Sequence, residues 1–299
     1  MRDDLIVCTR NRAADLARCL ATVAAQRRLP DGVLVCDASD GDETARLVAE
    51  LAGRSRLGGR LRYLRAAPGL PRQRNLAVAA TGGDVVHFVD DDVLLDPGYV
   101  EQLDRVFEAD RAGAIGGAGG LITNLPPHHP PRVLELLGLD SRRDGAVLAS
   151  GKNVQVFAAD GLVEVDWLSG CSMSFRRAVF ARHRFDERLD GYALGEDADF
   201  GYRVRQDHRL VVCGAARLRH LSSPVGRQGQ RELVRRELLH RYWRVRQGTG
   251  RLTVPAFWVS AYGQLGWLAW RAAAHRSRHA ARRLVWTAEG ILDIARGRR

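Results

Sequence analysis

The sequence has only one lysine, Lys152, among 46 basic side chains, so its positive charge is almost entirely guanidinium. An Arg- and Ala-rich coding bias explains that choice of residue, but not where the arginines fall. Cysteine is sparse and unpatterned. The five (Cys8, Cys19, Cys36, Cys171, Cys213) are odd in number and form no C-x-x-C pair, which argues against a disulfide scaffold or a zinc site. Cys8, Cys36 and Cys213 lie in strand-like runs, where a free thiol behaves as a small hydrophobe, so a reducing compartment is expected. The opening "MRDDLIVCTRNR" lacks the apolar core of a secretory leader, which gives a cytoplasmic expectation. There is no internal repeat and no nucleic-acid motif of recognised spacing, so no nucleic-acid partner is expected. "CTRNRAAD" also lacks the glycine- and arginine-rich phosphate loop that a nucleotidyltransferase would show early in its chain.

What is present is ordinary in amount and uneven in placement. The chain has 299 residues, 45% hydrophobic and 27% charged, enough for one large domain with an appendage or for two modest domains. Residues 1–216 hold 28 basic and 31 acidic side chains, whereas residues 217–299 hold 18 and 4. The formal net charge of +11 therefore comes wholly from the tail.

The first half alternates apolar runs with helical periodicity. Leu5–Thr9 and Gly32–Asp37 read as strands, and "LRYL" and "DVVHFV" as two more. Between them lie helices, one with Leu16, Leu20 and Val23 on a single face, one over Asp42–Ala52, and one opening on a proline in "PRQRNLAVAA". "PGYVEQLDRVFEA" gives a further helix. Such alternation predicts a doubly wound α/β domain whose sheet is covered on both faces. "NLPPHHPP" reads as a proline-bounded connection in which His128 and His129 are loop residues. Gly161–Phe180 reads as a strand, a glycine turn and a helix, and Phe185–Gln206 as a loop leading into a helix near Glu196.

In sheets of this kind ligands gather at the carboxyl ends of the strands. That rule puts Thr9, Asp37 and the triplet Asp90–Asp91–Asp92 on one rim. Three adjacent carboxylates repel one another. They are either a solvated acidic turn or the seat of a divalent cation, Mn²⁺ or Mg²⁺, which favours oxygen ligands and shares them with phosphates. On an extended chain Asp90 and Asp92 point to one side and Asp91 to the other, towards a sugar hydroxyl.

The ordered segments "LIVCTRNR", "VLVCDASDGDET", "GLPRQRNLAVAATGGDVVHFVDDDVLLDPGYV" and "WLSGCSMSFRRAVF…FDERLDGYALGEDADFGYRVR" resemble the family 2 glycosyltransferases. The resemblance spans Leu5 to His220 and implies a GT-A fold, with a mixed, mostly parallel Rossmann-like sheet and helices on both faces. It implies a catalytic domain over residues 1–220, and leaves 221–299 as a basic, Trp-rich helical tail. It also implies an inverting, metal-dependent sugar transfer from a nucleoside-diphosphate sugar (UDP-, dTDP- or GDP-linked) to a glycan, lipid-linked or small-molecule acceptor. Carried over by position, Thr9 meets the nucleotide, Asp37 the base, and Arg74 and Asn75 the nucleotide or its phosphates. Asp90 and Asp92 hold the cation with His220, and Asp91 touches the donor sugar. Asp197 is the general base with Glu196 beside it, and Trp167 and Gly170 lie on the acceptor side. Ala38 departs from the family, which often has an acidic or amide residue there, so this pair leaves the nucleobase open. For His220 and Trp167 a packed role is an alternative.

A metal-dependent nucleotide-sugar hydrolase or nucleotidyltransferase is the rival enzyme reading, and a non-catalytic membrane-surface binding protein the rival of another class. The acidic rim and the Glu-Asp segment favour the transferase.

The tail contains "LTVPAFWVSAYGQLGWLAW", Leu252–Trp270, 19 residues without a charge and flanked by arginine. Its length suits a membrane span, but its proline, glycines and polar residues suit an interfacial helix or packing. Phe257, Trp258, Ala261, Tyr262, Leu265 and Leu268 project onto one face. Leu284, Val285, Ala288, Ile291, Leu292 and Ala295 form a stripe on a later helix. Five of six tryptophans lie from Trp243 onward, and Trp with Arg on amphipathic helices suggests a partner in the anionic membrane surface. A peripheral location on the inner face of the cell membrane, in envelope polysaccharide or lipid-linked glycan synthesis, is the resulting expectation.

Overall fold

The computed structural model describes residues 1–189, 194–223 and 229–297. Residues 190–193 of the loop expected after Phe185, and 226–228 at the head of the arginine-rich helical stretch, lie outside them. The chain divides into two compact units, one of residues 1–127 and 156–227, the other of 128–155 and 228–299.

The first unit is a nine-stranded mixed sheet. Its first half runs β1 (Asp3–Thr9), α1 (Ala13–Ala24), β2 (Gly32–Asp37), α2 (Glu43–Arg54), β3 (Leu61–Arg65), α3 (Leu70–Ala79), β4 (Val85–Asp90), β5 (Val93–Leu95), α4 (Tyr99–Ala109) and β6 (Ile115–Ile122). After α5 (Arg132–Leu136), which belongs to the second unit, come β7 (Leu162–Val165), β8 (Ser172–Arg176), a 3₁₀ turn, α6 (Glu196–Val204) and β9 (Arg209–His220). The sheet order is β3-β2-β1-β4-β8-β6-β9-β5, with β7 paired to β9. β3, β2, β1 and β4 are mutually parallel, whereas β8 runs antiparallel to both β4 and β6.

The central parallel strands β1, β2 and β4 are largely apolar and buried because helices or loops cover both faces. Leu5, Ile6, Val7, Val33, Val35, Val85 and Val86 are fully buried. Two cores result, one on each side of the sheet. One of them gathers Phe88, Phe175, Phe180, Phe185 and Phe200, with the Phe185 and Phe200 rings stacked at 4.1 Å between centroids. That aromatic cluster fixes the start of α6 against the sheet.

Residues 172–180 are not the helix expected from sequence. Ser172–Arg176 is an interior strand, and only Arg177–Ala181 turns, as a 3₁₀ segment. Its serines are tolerated inside because each has a partner. Ser172 Oγ lies 2.7 Å from the Tyr99 hydroxyl and Ser174 Oγ 2.8 Å from His87 Nδ1. The glycine-rich β6 beside it drew no sequence assignment. A Cβ on Gly117 would sit 2.7 Å from the Phe175 ring, and one on Gly120 would sit 2.5 Å from the Tyr99 ring, so close neighbours exclude side chains there.

The second unit is helical, built from α5, α7 (Gln230–Arg246), α8 (Val254–Ala274) and α9 (Arg278–Ala295). Thr253 and Ser277 cap α8 and α9 through their hydroxyls. The stretch 137–155 is held by α7 and α8: Arg244 Nη1 donates to Gly151 O (2.9 Å), Ser260 Oγ to Gly138 O (3.1 Å), and Lys152 pairs with Glu237. Residues 128–155 thus belong with the C-terminal helices, a grouping that a linear division at residue 220 does not contain. Among the described residues no helix is long and apolar enough to cross a membrane.

Candidate active site

The carboxyl ends of β1, β2 and β4 bring the sequence-derived residues of the first unit to one rim. Thr9 ends β1, Asp37 ends β2 and Asp90 ends β4. Asp91 and Asp92 form the tight connection into β5, whose Val93 pairs with His220 at the end of β9. This antiparallel pairing explains why residues 128 positions apart meet: His220 Nε2 lies 3.1 Å from Asp92 Oδ1.

The three aspartates have different tasks. Asp90 is the most open, with its side chain 34% exposed and Oδ1 3.7 Å from Arg74 Nη2. Desolvation raises its carboxyl above the usual range, opposed by Arg74 and reinforced by Asp92. Asp92 is buried, yet its carboxyl is lowered. Desolvation works against this, but the His220 imidazole, the Ser223 amide (2.8 Å to Oδ2) and Arg12 outweigh it. Asp91 turns inward rather than towards a sugar. It accepts from Thr9 Oγ1 (2.6 Å) and Arg12 Nη1 (3.1 Å), and desolvation still pushes its carboxyl up to about 7. Thr9 is correspondingly spent on Asp91. Arg12, three residues beyond Thr9, is the site residue that sequence reasoning missed; its only signal is its place at the start of α1, beneath the strand-end rim.

Asp90, Asp92 and His220 each offer a ligand atom, and these atoms lie within 4.8 Å of one another. Two carboxylate oxygens and an imidazole nitrogen form a donor set suited to Mn²⁺ and acceptable to Mg²⁺. Asp90's outward face leaves room for further ligands.

Arg74 joins this group to the Glu-Asp segment. It is 2% exposed, pairs with Glu196, and donates from Nη2 to Gly170 O (3.3 Å). The buried Arg74 therefore acts inside the protein, as the cation between Asp90 and Glu196. Burial and the adjacent Asp197 push Glu196 up to about 8, against the pull of Arg74. Asp197 accepts from the Gly170 amide at 2.7 Å and from its neighbour Ala198's amide at 2.7 Å. A Cβ at Gly170 would stand 2.8 Å from Arg74 Nη2 and 3.2 Å from Asp197 Oδ2. Only glycine permits this approach, and through it the segment before β8 orients the Asp197 carboxylate.

Asn75 faces away from the rim. It donates to Phe185 O and Glu187 Oε1 (both 2.9 Å) and accepts from Phe185 N (3.0 Å), pinning the chain ahead of α6. Asp37 is fully buried, with Oδ1 accepting from the Ser39 amide (2.8 Å) and Oδ2 from the Tyr63 hydroxyl (2.9 Å). Trp167 is 4% exposed, and its backbone packs where a Cβ on Gly201 of α6 would stand 3.1 Å away.

Solved structures with the same architecture include the mannosyltransferase PcManGT from Pyrobaculum calidifontis in complex with GDP-Man and Mn²⁺. It is 16% identical, with a TM-score of 0.61 over 98% of this chain and 86% of that one. GalNAc-T7 with UDP, GalNAc and Mn²⁺ matches at 16% identity and a TM-score of 0.58, over 79% of this chain and 48% of the other. S. aureus TarS 1–349 in complex with UDP matches at 17% and 0.53, over 91% and 72%. No curated protein sequence matches the chain. The fold is that of the GT-A glycosyltransferases. Residues 4–132 match the family described as glycosyl transferase family 2.

Proposed function

We propose that the protein is a metal-dependent, inverting glycosyltransferase that moves a sugar from a nucleoside-diphosphate sugar to an acceptor hydroxyl. The observation that carries this reading is the convergence of Asp90, Asp92 and His220 on the same rim as Asp197, joined by the buried Arg74. Asp92, Asp90 and His220 would hold a divalent cation, which when bound would supply positive charge for the departing diphosphate. Asp37 and Thr9 line the nucleotide side, and Asp91 stiffens the rim through Thr9 and Arg12. On the acceptor side Asp197 accepts the proton of the attacking hydroxyl, since a sugar hydroxyl is a weak nucleophile near neutral pH. The Gly170 amide orients that carboxylate, and Glu196 with Arg74 supports it from behind. A base on one side and a leaving group on the other give direct displacement, hence inversion.

The relatives with bound GDP-Man or UDP support a nucleotide-sugar donor. The basic tail supports an acceptor presented at an anionic membrane surface, as in envelope polysaccharide or lipid-linked glycan assembly, with the protein peripheral on the cytoplasmic face.

The deciding experiment is thermal denaturation with UDP, GDP, dTDP or CDP, each with Mn²⁺, Mg²⁺ or EDTA. A ligand at 100 times its dissociation constant stabilises by about 2.7 kcal/mol. The expected outcome is a cation-dependent shift with one nucleotide that Asp92→Ala removes. A folded sample that responds to none of the nucleotides refutes the donor site.

A further inference from the structure

The second unit carries a feature that glycosyl transfer does not use. Seven of the ten exposed large hydrophobic side chains among the described residues lie in it, although it holds about a third of the chain. On α8 the buried side consists of Phe257, Ser260, Ala261 and Leu268. The opposite side places Val259 (58% exposed), Tyr262 (59%) and Trp270 (51%) at helical spacing, with Pro255, Gly266 and Ala273 between and beyond them. No charged residue interrupts this outer stripe between Arg251 and Arg271. A 21-residue helix is about 30 Å long, so the stripe is extended and flat. Tyr262 was expected on one face with Phe257, Ala261 and Leu268. The structure turns it out, and it does the same to Val285 (55%) and Leu292 (50%) of α9, whose buried side is Ala280, Thr287, Gly290, Ile291 and Ile294.

Charge is arranged around the stripe with equal asymmetry. Residues 228–299 contain four acids. Each is tied to a cation of the same unit: Glu232 to Arg235 and Arg236, Glu237 to Lys152, Glu289 to Arg231, and Asp293 to Arg235. At the turn from α8 to α9, by contrast, Arg271, Arg276, Arg278 and Arg282 are exposed, and none is in an ion pair among the described residues. An uncharged, Trp- and Tyr-bearing face ending in uncompensated guanidiniums matches a surface that is apolar beneath and anionic above.

We infer that the outer face of α8, with the basic α8–α9 turn, is the contact surface for an anionic lipid bilayer, the helix lying in the plane of the headgroups. This deepens the membrane reading above by naming the face, and rests on it. Tyr262 and Trp270 occupy the boundary between headgroup and acyl chain, and the arginines of the turn meet lipid phosphates. A second copy of the chain on this face would add another uncompensated basic turn to the first, so a lipid surface is the better occupant.

The test uses the full chain and vesicles of phosphatidylcholine with or without phosphatidylglycerol. The protein is expected to sediment with the anionic vesicles and to be released from them by salt. The Val259→Asp/Tyr262→Asp pair and, separately, Arg276→Glu/Arg278→Glu should each weaken partitioning by about tenfold or more. Both pairs are exposed, so wild-type melting is expected, and circular dichroism checks it. Absence of sedimentation by the wild type overturns the inference. So does unchanged partitioning of the folded variants, or a dimer in light scattering that Val259→Asp splits. Nucleotide-induced shifts measured on the same samples separate the two readings, because a lost donor site with intact vesicle binding removes the transferase assignment and leaves this face standing.

Discussion

The first unit holds two clusters of histidine and carboxylates with similar spacing, one at each end of the same strands, and they behave oppositely. Near the start of β1 and β4, His87 Nε2 lies 3.3 Å from Asp104 Oδ1 and 3.5 Å from Asp3 Oδ2, with Arg28 Nε 3.0 Å from Asp104 Oδ2. All three central side chains are fully buried. Burial disfavours the imidazolium, but Asp104 and Asp3 win and raise His87 to about 9. The Asp3 and Asp104 carboxylates face the imidazolium and Arg28, which also reaches Glu108 Oε1 at 3.0 Å, and Nδ1–H of the imidazolium donates to Ser174 Oγ. That cluster is closed to solvent at its centre. At the other end, the carboxyls of Asp90, Asp91, Asp92, Glu196 and Asp197 crowd around Arg12, Arg74 and the His220 imidazole, and burial raises Asp90, Asp91 and Glu196. The rim is open at Asp90. Ligand spacing alone treats the two clusters as equivalent; access separates them, and favours the rim for the proposed cation.

The contrast can be tested by removing one group at a time. The largest effect is expected for Asp197→Asn, which should lower turnover by about 10²–10⁴-fold with nucleotide-induced shifts retained. Steady-state rates near the wild type would remove Asp197 from the chemistry. At the buried cluster, Asp104→Ala leaves the His87 imidazolium with Asp3 as its one remaining carboxylate partner among the described residues, and should destabilise the fold by about 3–5 kcal/mol in denaturant titrations while the cation-dependent nucleotide shift survives in the folded fraction. An equally large loss of nucleotide response in that fraction would erase the distinction between the clusters.

His87 also gives a pH signature. Its folded value, about 9, lies above its ordinary value of 6.5. The stabilisation it supplies is therefore full below pH 6.5 and lost as pH rises through 9, by about 3 kcal/mol in all. His87→Gln should flatten the fall in melting temperature across that window, and an unchanged slope would place the proton elsewhere. The smallest effect belongs to Asp90→Asn. Because the ionised form of Asp90 is already disfavoured, neutralising it without added cation should change stability by no more than about 0.5 kcal/mol, yet abolish the Mn²⁺-dependent shift.

How much of this was legible beforehand follows from which forces dominate locally. The parallel half was readable because β1, β2 and β4 are largely apolar runs and α1 and α2 are amphipathic. The rim was readable because strand ends coincide with polar residues, Thr9, Asp37 and Asp90. Ser172–Arg176 misled because alternating serines next to arginines look helical until Tyr99 and His87 are known to satisfy the hydroxyls. Ile115–Ile122 was silent because four glycines carry no hydrophobic signal, and their need is set by the Phe175 and Tyr99 rings from elsewhere in the chain. Arg74 and Asn75 were found as positions but not as partners. A helix-borne arginine in sequence gives no hint that Glu196, 122 residues later, will bury it. In the tail, helical periodicity located α8 and α9. It could not say which edge of each wide apolar stripe faces inward, since that depends on the third helix.

The discontinuity of the second unit has a consequence for the order in which the protein can be made. Residues 128–155 leave the ribosome well before the helices that hold them, so Lys152 waits for Glu237 and the Gly138 and Gly151 carbonyls wait for Ser260 and Arg244. During that interval the sheet, whose last strand ends at His220, can close around an excursion that is still unsatisfied. Completion of the helical unit therefore comes after that of the sheet, and a chain halted after β9 would display an orphaned loop as its mark of immaturity.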